Sequence, residues 1–188
     1  VELRAGLGAC EVLFTKARGD ATELAAQARA AGATTVVSLG GDGTHNEVVN
    51  GLLRAGAPSP VQLGLLSAGT GGDFCRVTLA GHDLDAGIRA ISESPAAYID
   101  VGLTRYRSDA GARAERYFLN MASCGVSGLV CRLVEQSGKR LGGGVAFYLA
   151  TVRVLWRYKP ALLRIVLDGQ QVSEADGTEV TMVAVCNG

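Results

Sequence analysis

Short apolar runs alternate with amphipathic helical segments through the first half of the chain. Strands are predicted at residues 11–15, 36–39 and 61–66, and helices at 21–31, 45–54 and 84–91. Strands and helices that alternate in this way are typical of a parallel, doubly wound α/β sheet. After about residue 95 strands dominate. They are predicted at 97–101, 116–122, 162–167 and 180–185, with helices at 129–135 and 145–158.

The change of pattern predicts two domains. Residues 1–95 would form an α/β domain, with Asp20 as the N-cap of its first helix. Residues 96–188 would form a β-rich second domain with a packed helix, left incomplete. Asp168-Gly169 predicts a hairpin turn inside it. Both chain ends are interpreted as cut, so a fragment is expected.

Two glycine-rich turns follow predicted strands, at residues 40–44 and 67–74. The carboxyl ends of parallel strands share one edge, which is where open α/β sheets bind ligands. A strand that ends in glycines and opens a helix offers N–H groups to an anion, most often a phosphate. The second turn would form the other wall of a cleft, with Thr70 as a donor. The alternative is an ordinary tight turn in which Asp42-Gly43 supports positive φ and Asp42 or Thr44 caps the helix.

Asp42 makes the first turn unusual, because the turn fits neither the P-loop pattern nor the dinucleotide-binding pattern. A carboxylate beside a bound phosphate is repulsive unless it meets a metal ion or accepts a proton. Phosphoryl transfer requires both a metal ion and a group that accepts a proton. His45 follows the turn and is predicted either to contact phosphate or to face solvent as part of a capping turn.

Composition and charge limit the classes of partner that the chain could bind. The chain has 18 basic and 18 acidic residues, so net charge gives no indication of nucleic-acid binding. Residues 132–164 nevertheless hold seven basic side chains against Glu135 alone. This segment is either a solvated face or a surface attracted to the anionic inner leaflet, where Trp156 and Tyr158 would suit the interface. Nothing in the sequence indicates an oligomeric state.

The cysteines and the apolar runs bear on location. The five cysteines form no CxxC pair and have no metal-type spacing with the two histidines, which is typical of reduced thiols in a cytosolic protein. No signal peptide is visible, and the uncharged stretch at residues 141–152 is too short to span a bilayer. A cytoplasmic protein is predicted, with peripheral contact at the inner membrane face as a further option.

The motifs together carry a resemblance. Gly41-Asp42-Gly43-Thr44 with the continuation Asn46-Glu47-Val48-Val49-Asn50-Gly51-Leu52 resembles the catalytic domain of diacylglycerol and sphingosine kinases, most closely the bacterial lipid kinases. Further matching segments lie at Thr15 with Gly19-Asp20-Ala21, at 69–76, at 117–125 and at 139–143. An NAD kinase-like enzyme shares the GGDGT turn, but the continuation after it and the 69–74 loop weigh against that enzyme. Gly72 and Ser127 stand where the family usually has Asn and Asp, which gives some support to a non-catalytic nucleotide-binding module.

The resemblance implies the NAD kinase/diacylglycerol kinase-like fold. Residues 1–95 would be its α/β ATP-binding domain, which lacks the first strand, and residues 96–188 an incomplete, sandwich-like substrate domain, with ATP and Mg²⁺ bound between the two. It implies transfer of the γ-phosphate to the hydroxyl of a lipid, diacylglycerol or a similar one, at a membrane surface. Asp42 would be the base or a ligand of Mg²⁺-bound water. The main base of the bacterial branch and the acidic metal ligands are expected beyond Gly188. The ATP-binding residues would be Thr15, Gly40, Gly41, Asp42, Gly43, Thr44, His45, Asn46, Glu47, Gly69, Thr70 and Gly71.

Overall fold

The computed structural model describes residues 7–53, 61–68, 83–137, 148 and 151–187. They belong to two compact units. The first contains the residues up to Asn120 together with Asn187, and the second runs from Met121 to Cys186. The predicted domain boundary between residues 95 and 96 stays a prediction.

In the part of the first unit that the structure describes, three helices accompany a parallel strand pair and an antiparallel hairpin. Its elements are α1 (Asp20–Ala30), β1 (Thr35–Gly40), α2 (Asp42–Leu52), β2 (Gln62–Ser67), α3 (Leu84–Glu93), β3 (Gly102–Arg107) and β4 (Arg113–Phe118). β1 and β2 pair in parallel from Thr35 opposite Gln62 to Gly40 opposite Ser67. The parallel pairing expected from the alternation is therefore confirmed.

Most of the buried side chains described in the first unit are small or branched and lie on α1, α2 and β2. Ala21 and Ala25 of α1 pack with Val48 and Leu52 of α2. Val49, on the neighbouring face of α2, packs with Leu65 and Leu119. The spacing of the buried residues on α2 is helical, so this helix lies between α1 on one side and the sheet on the other.

Two predicted strands are wrong. Residues 11–15 form no strand, and Phe14 is 82% exposed. A strand needs a hydrogen-bonded neighbour, and no described residue pairs with this segment. Residues 97–101 are also irregular, and Tyr98 is fully exposed, because the ladder with β4 begins only at Gly102.

The N-cap prediction for α1 is wrong as well. Gly19 occupies the N-cap with φ 91°, a left-handed conformation that glycine adopts readily. Asp20 is the first helical residue. Its Oδ2 accepts hydrogen bonds from the backbone N–H of Lys16 (2.7 Å) and Ala17 (2.9 Å). The carboxylate therefore closes the turn that leads into the helix rather than capping the helix itself.

The second unit is rich in short antiparallel strands. Its elements are β5 (Met121–Gly125), α4 (Val126–Ser137), β6 (Ala161–Leu163), β7 (Val166–Leu167), β8 (Gln170–Gln171), β9 (Thr178–Val180) and β10 (Met182–Cys186). β10 pairs with β5, β6 with β9, and β7 with β8. Asp168 (φ 49°) and Gly169 (φ 79°) join β7 to β8, so the hairpin turn is confirmed.

The predicted strands of this part are divided differently. The predicted strand at 116–122 is split between β4 and β5, and the one at 162–167 between β6 and β7. Residues 119–120 and 164–165 interrupt these strands, and each half pairs with a different partner.

Candidate active site

The first glycine turn is shorter than its sequence indicates. β1 ends at Gly40, Gly41 is extended (φ −101°, ψ 179°), and α2 begins at Asp42. The predicted helix start at residue 45 is therefore wrong, because the extended Gly41 already serves as N-cap. Asp42 and Gly43 are helical, and neither has a positive φ. The N-cap position belongs to Gly41, which has no side chain, so neither Asp42 nor Thr44 occupies the predicted capping position.

The end of α2 presents donors to an anion. The first N–H groups of any α-helix have no partner four residues back within the helix. Here the N–H of His45 is bonded to the carbonyl of Gly41 (3.1 Å), which leaves the N–H groups of residues 42–44 at the positive end of the helix. Asp42 is exposed in this first turn. This geometry suits an anion, with one carboxylate at the edge of the turn.

Two glycines shape the surface of the turn in opposite ways. A Cβ at Gly40 would lie 2.8 Å from Cβ and 2.9 Å from Oγ1 of Thr44, so only glycine lets Thr44 fold over the end of β1. A Cβ at Gly43 would meet nothing within 4 Å. The turn is therefore closely packed on the strand side and open at Gly43.

The second glycine turn starts beside the first. The N–H of Ala68, directly after β2, donates to the carbonyl of Gly40 (2.9 Å). The two turns therefore leave the sheet at the same edge. Gly69, Thr70 and Gly71 lie outside the described residues, as does Gly72, so their predicted contacts with ATP stay predictions.

His45 lies in the core, 1% exposed. Its Nδ1 is 2.8 Å from the hydroxyl oxygen of Ser38, which is itself 3% exposed on β1. Burial lowers the pKa of His45 below its ordinary value of 6.5, and the negative charge of Asp42 opposes this in part. The predicted solvent-facing alternative is wrong, because position 45 shares the apolar face of α2 with Val48, Val49 and Leu52.

The amide of Asn50 is bound to the backbone of β4. It donates from Nδ2 to the carbonyl of Tyr117 (3.0 Å), and its Oδ1 accepts from the N–H of Tyr117 (2.9 Å). Asn46 adds a further bond from Nδ2 to the same carbonyl (3.0 Å), and its Oδ1 accepts from Nε of Arg116 (3.1 Å). We call Asn46, Asn50 and the Tyr117 backbone the asparagine clamp. It fixes α2 against the hairpin.

The asparagine clamp was not predicted from the sequence, where the family resemblance places Asn46 at the ATP site. A signal was available, because two asparagines four residues apart inside one helix are costly in helix propensity. Such a pair is expected to have partners outside the helix. The prediction that Asn46 contacts ATP is not tested by these bonds, and it stays a prediction.

The Thr15–Asp20 segment is tied to α2 through α1. The hydroxyl of Thr22 donates to the carbonyl of Glu47 (3.0 Å). Gly51 makes this approach feasible, since a Cβ there would collide with the carbonyl oxygen of Thr22 and lie 2.9 Å from Cβ of Ala25. Thr15 itself is exposed. Its predicted contact with ATP stays a prediction.

Comparison with known proteins decides the family. The sequence model of the diacylglycerol kinase catalytic domain matches residues 3–104, more than half of the chain. The chain belongs to the diacylglycerol kinase catalytic domain family. The resemblance stated from the motifs is thereby confirmed.

Individual relatives agree with this family. The chain is 34% identical to the "Probable lipid kinase YegS-like" of Chromohalobacter salexigens, over 76% of this chain and 43% of that protein. It is 32% identical to a diacylglycerol kinase of Staphylococcus aureus, over 82% of this chain and 46% of that protein. The crystal structure of a diacylglycerol kinase from Bacillus anthracis superposes with a TM-score of 0.65 at 25% identity, over 99% of this chain and 55% of that one. The chain thus spans about half the length of these relatives.

The diacylglycerol kinase-like fold is therefore shown: a mixed α/β part with a parallel sheet, followed by a β-rich part.

Glu47, the last of the predicted ATP residues on α2, lines a surface cavity of about 490 Å³ together with Arg18, Thr22, Asn50 and Arg116. This cavity lies along the outer side of α2, between α1 and the β3–β4 hairpin. The predicted contact of Glu47 with ATP stays a prediction.

The described residues offer little to a metal ion. Within them, no group of three or more His, Cys, Asp or Glu side chains could hold one. Asp42 is the acidic side chain that lies in the turn itself.

In the other unit, the hydroxyl oxygen of Ser127 is buried and has no hydrogen-bond partner among the described residues. No helix in the described part of the chain is long and apolar enough to cross a membrane.

Proposed function

We propose that the protein carrying this chain is an ATP-dependent lipid kinase that transfers the γ-phosphate of ATP to a lipid hydroxyl, that of diacylglycerol or a similar lipid. The family match supports this activity. One structural observation carries it: the N-terminus of α2, which begins directly after β1 with a glycine as its N-cap, with the second glycine turn beginning beside it through Ala68 and Gly40. This arrangement suits the phosphates of a nucleotide.

Different residues of the turn would have different roles in phosphoryl transfer. The N–H groups at the start of α2 would hold the phosphate oxygens, and Gly43 would allow them a close approach. The lipid oxygen forms the new bond to the γ-phosphorus while the bond to the β-phosphate oxygen breaks and ADP leaves. Mg²⁺, when bound with ATP, neutralises charge on the phosphates.

Asp42 would either accept the proton of the lipid hydroxyl or orient Mg²⁺-bound water. It is exposed at the edge of the proposed phosphate site, as either role requires. Removal of a general base costs about 10² to 10⁴ in rate. Asp42→Asn is therefore expected to lower turnover by at least about a hundredfold. Glu93→Gln is the control, because Glu93 is an exposed carboxylate at the C-terminal end of α3, where Ile91 lies against Gly64 near the start of β2, away from the turn. Unchanged turnover in Asp42→Asn would remove this residue from the mechanism.

The activity is tested with radiolabelled ATP, Mg²⁺ and diacylglycerol in lipid vesicles. Label in the lipid fraction is the expected result. Label transferred to NAD instead would favour an NAD kinase-like enzyme. Tight binding of ATP without transfer to any lipid would favour a non-catalytic nucleotide-binding module.

We further propose that the protein is cytoplasmic and contacts the inner membrane face peripherally. Trp156 is 93% exposed, and Arg153, Arg157 and Lys159 beside it are exposed as well. An aromatic ring among basic side chains suits the headgroup region of an anionic bilayer, where each basic residue contributes about 1 kcal/mol.

Membrane contact is tested by cosedimentation with vesicles. Binding is expected to vesicles that contain phosphatidylglycerol and to be weaker with phosphatidylcholine alone. Trp156→Ala should weaken binding. Tyr98→Ala, the control, removes an equally exposed aromatic ring from the first unit and should not. Equal binding by both variants would contradict the proposed contact.

A further inference from the structure

Ser38 and His45 lie on either side of the proposed phosphate turn. Ser38 belongs to β1, two residues before its end, and His45 belongs to the first turns of α2. Both side chains are almost completely buried, and their polar atoms are 2.8 Å apart. The hydrogen bond therefore closes the corner formed by the strand end, the turn and the helix start.

This bond is a directional constraint that apolar packing would not supply. In a neutral imidazole one ring nitrogen accepts and the other donates. With Nδ1 as acceptor, the Ser38 hydroxyl donates to it and the ring proton resides on Nε2. A buried hydrogen bond demands a narrow range of distance and angle, whereas a leucine at either position could slide.

The surroundings keep the ring neutral. Burial favours the uncharged imidazole, while Asp42 in the same helix favours the charged form and is outweighed. From the strand side, the uncharged hydroxyl of Ser38 faces the ring. Asp42 is thus the charged group that acts on His45 within the described part of the chain.

We propose that the Ser38–His45 hydrogen bond is a positioning device for the nucleotide turn: it sets the direction of the first turn of α2 relative to β1, and thereby the aim of the backbone N–H groups of residues 42–44. This inference rests on the proposed function. His45 and Ser38 are positioning residues, since they act through the backbone of the turn rather than on the phosphates. A tilt of the helix end would misalign several donors at once.

The test measures the dissociation constant of MgATP and the melting temperature for a set of variants of the full chain. Ser38→Ala and His45→Leu both remove the bond, and each is expected to weaken MgATP binding about fivefold to tenfold. The double variant should be no weaker than the worse single one, because both changes delete the same interaction. His45→Asn places an amide where Nδ1 lies and should restore affinity to within about twofold of the unaltered chain.

A control separates positioning from stability. Val49→Ala removes buried side-chain atoms from the same helix without touching the turn, so it should lower the melting temperature and leave MgATP affinity unchanged. If His45→Leu does not fold, Ser38→Ala alone decides. Affinity unchanged in Ser38→Ala, or lowered equally in Val49→Ala, overturns the inference while the proposed function stands. Absence of MgATP binding by the unaltered whole protein that carries this chain overturns both.

Discussion

At Gly51, two helices that carry predicted ATP-binding motifs, α1 and α2, approach each other closely. A Cβ built there collides with the carbonyl oxygen of Thr22 and lies 2.9 Å from Cβ of Ala25, closer than real Cβ atoms come. The neighbour is backbone, which cannot rotate away. Gly51→Ala therefore forces α1 and α2 apart and strains the bond from Thr22 to Glu47.

The expected cost follows from three contributions. Overpacking costs about 1–3 kcal/mol, and weakening of the Thr22 hydrogen bond costs about 1 kcal/mol. The higher helix propensity of alanine returns about 1 kcal/mol. The free energy of unfolding of Gly51→Ala should thus be about 1–3 kcal/mol lower than that of the unaltered chain. For a chain of this size the melting temperature would fall by about 2–4 °C for each kcal/mol.

Gly43→Ala is the matched control, because it makes the same change in the same helix where a Cβ meets nothing within 4 Å. It should gain up to about 1 kcal/mol from propensity alone. Urea titrations followed by circular dichroism, without nucleotide, measure both variants. The reasoning is refuted if Gly51→Ala unfolds at the same or a higher urea concentration than the unaltered chain.

Three further changes test the turn and its supports. Asn50→Asp replaces the donor to the Tyr117 carbonyl by a repelling oxygen and should cost about 1–3 kcal/mol in a urea titration, whereas unchanged stability would contradict the clamp. Burial lowers the pKa of His45 in the folded state below its ordinary value of 6.5. The stabilisation that the neutral, buried ring provides is therefore complete above pH 6.5 and is lost as the pH falls toward the lower pKa of the folded state. His45→Leu should remove that part of the decline, and identical pH profiles for both proteins would argue against it. Gly40→Ala drives a methyl group into Thr44 and should weaken MgATP binding about tenfold, as a binding titration would show.

Local patterns predicted the elements that local forces determine. The parallel strands and the helices were found because apolar residues recur at the required spacing. The Asp168-Gly169 turn was found because few residue pairs adopt positive φ in succession. The position of His45 could also have been predicted. It lies three, four and seven residues before Val48, Val49 and Leu52, which is the spacing of a buried helical face.

The remaining features depend on distant parts of the chain. Residues 11–15 look like a strand, but only a pairing partner could make them one. The start of α2 depends on the backbone of Gly41, since an extended glycine caps the helix without any side chain. The asparagine clamp joins positions 67 and 71 residues apart, which no local pattern reveals.

The asparagine clamp also ties the fold to the chemical lifetime of the chain. Asn50 is followed by Gly51. Because glycine has no side chain to hinder it, its backbone nitrogen readily attacks the side-chain amide carbon of the preceding asparagine and expels ammonia. The folded helix resists this attack, because its backbone is rigid and the amide is bound to Tyr117. Each period spent unfolded would therefore convert some Asn50 to aspartate or isoaspartate and destroy a bond that refolding needs. Peptide mapping after repeated heating should show refolding yield falling as deamidation at Asn50 rises.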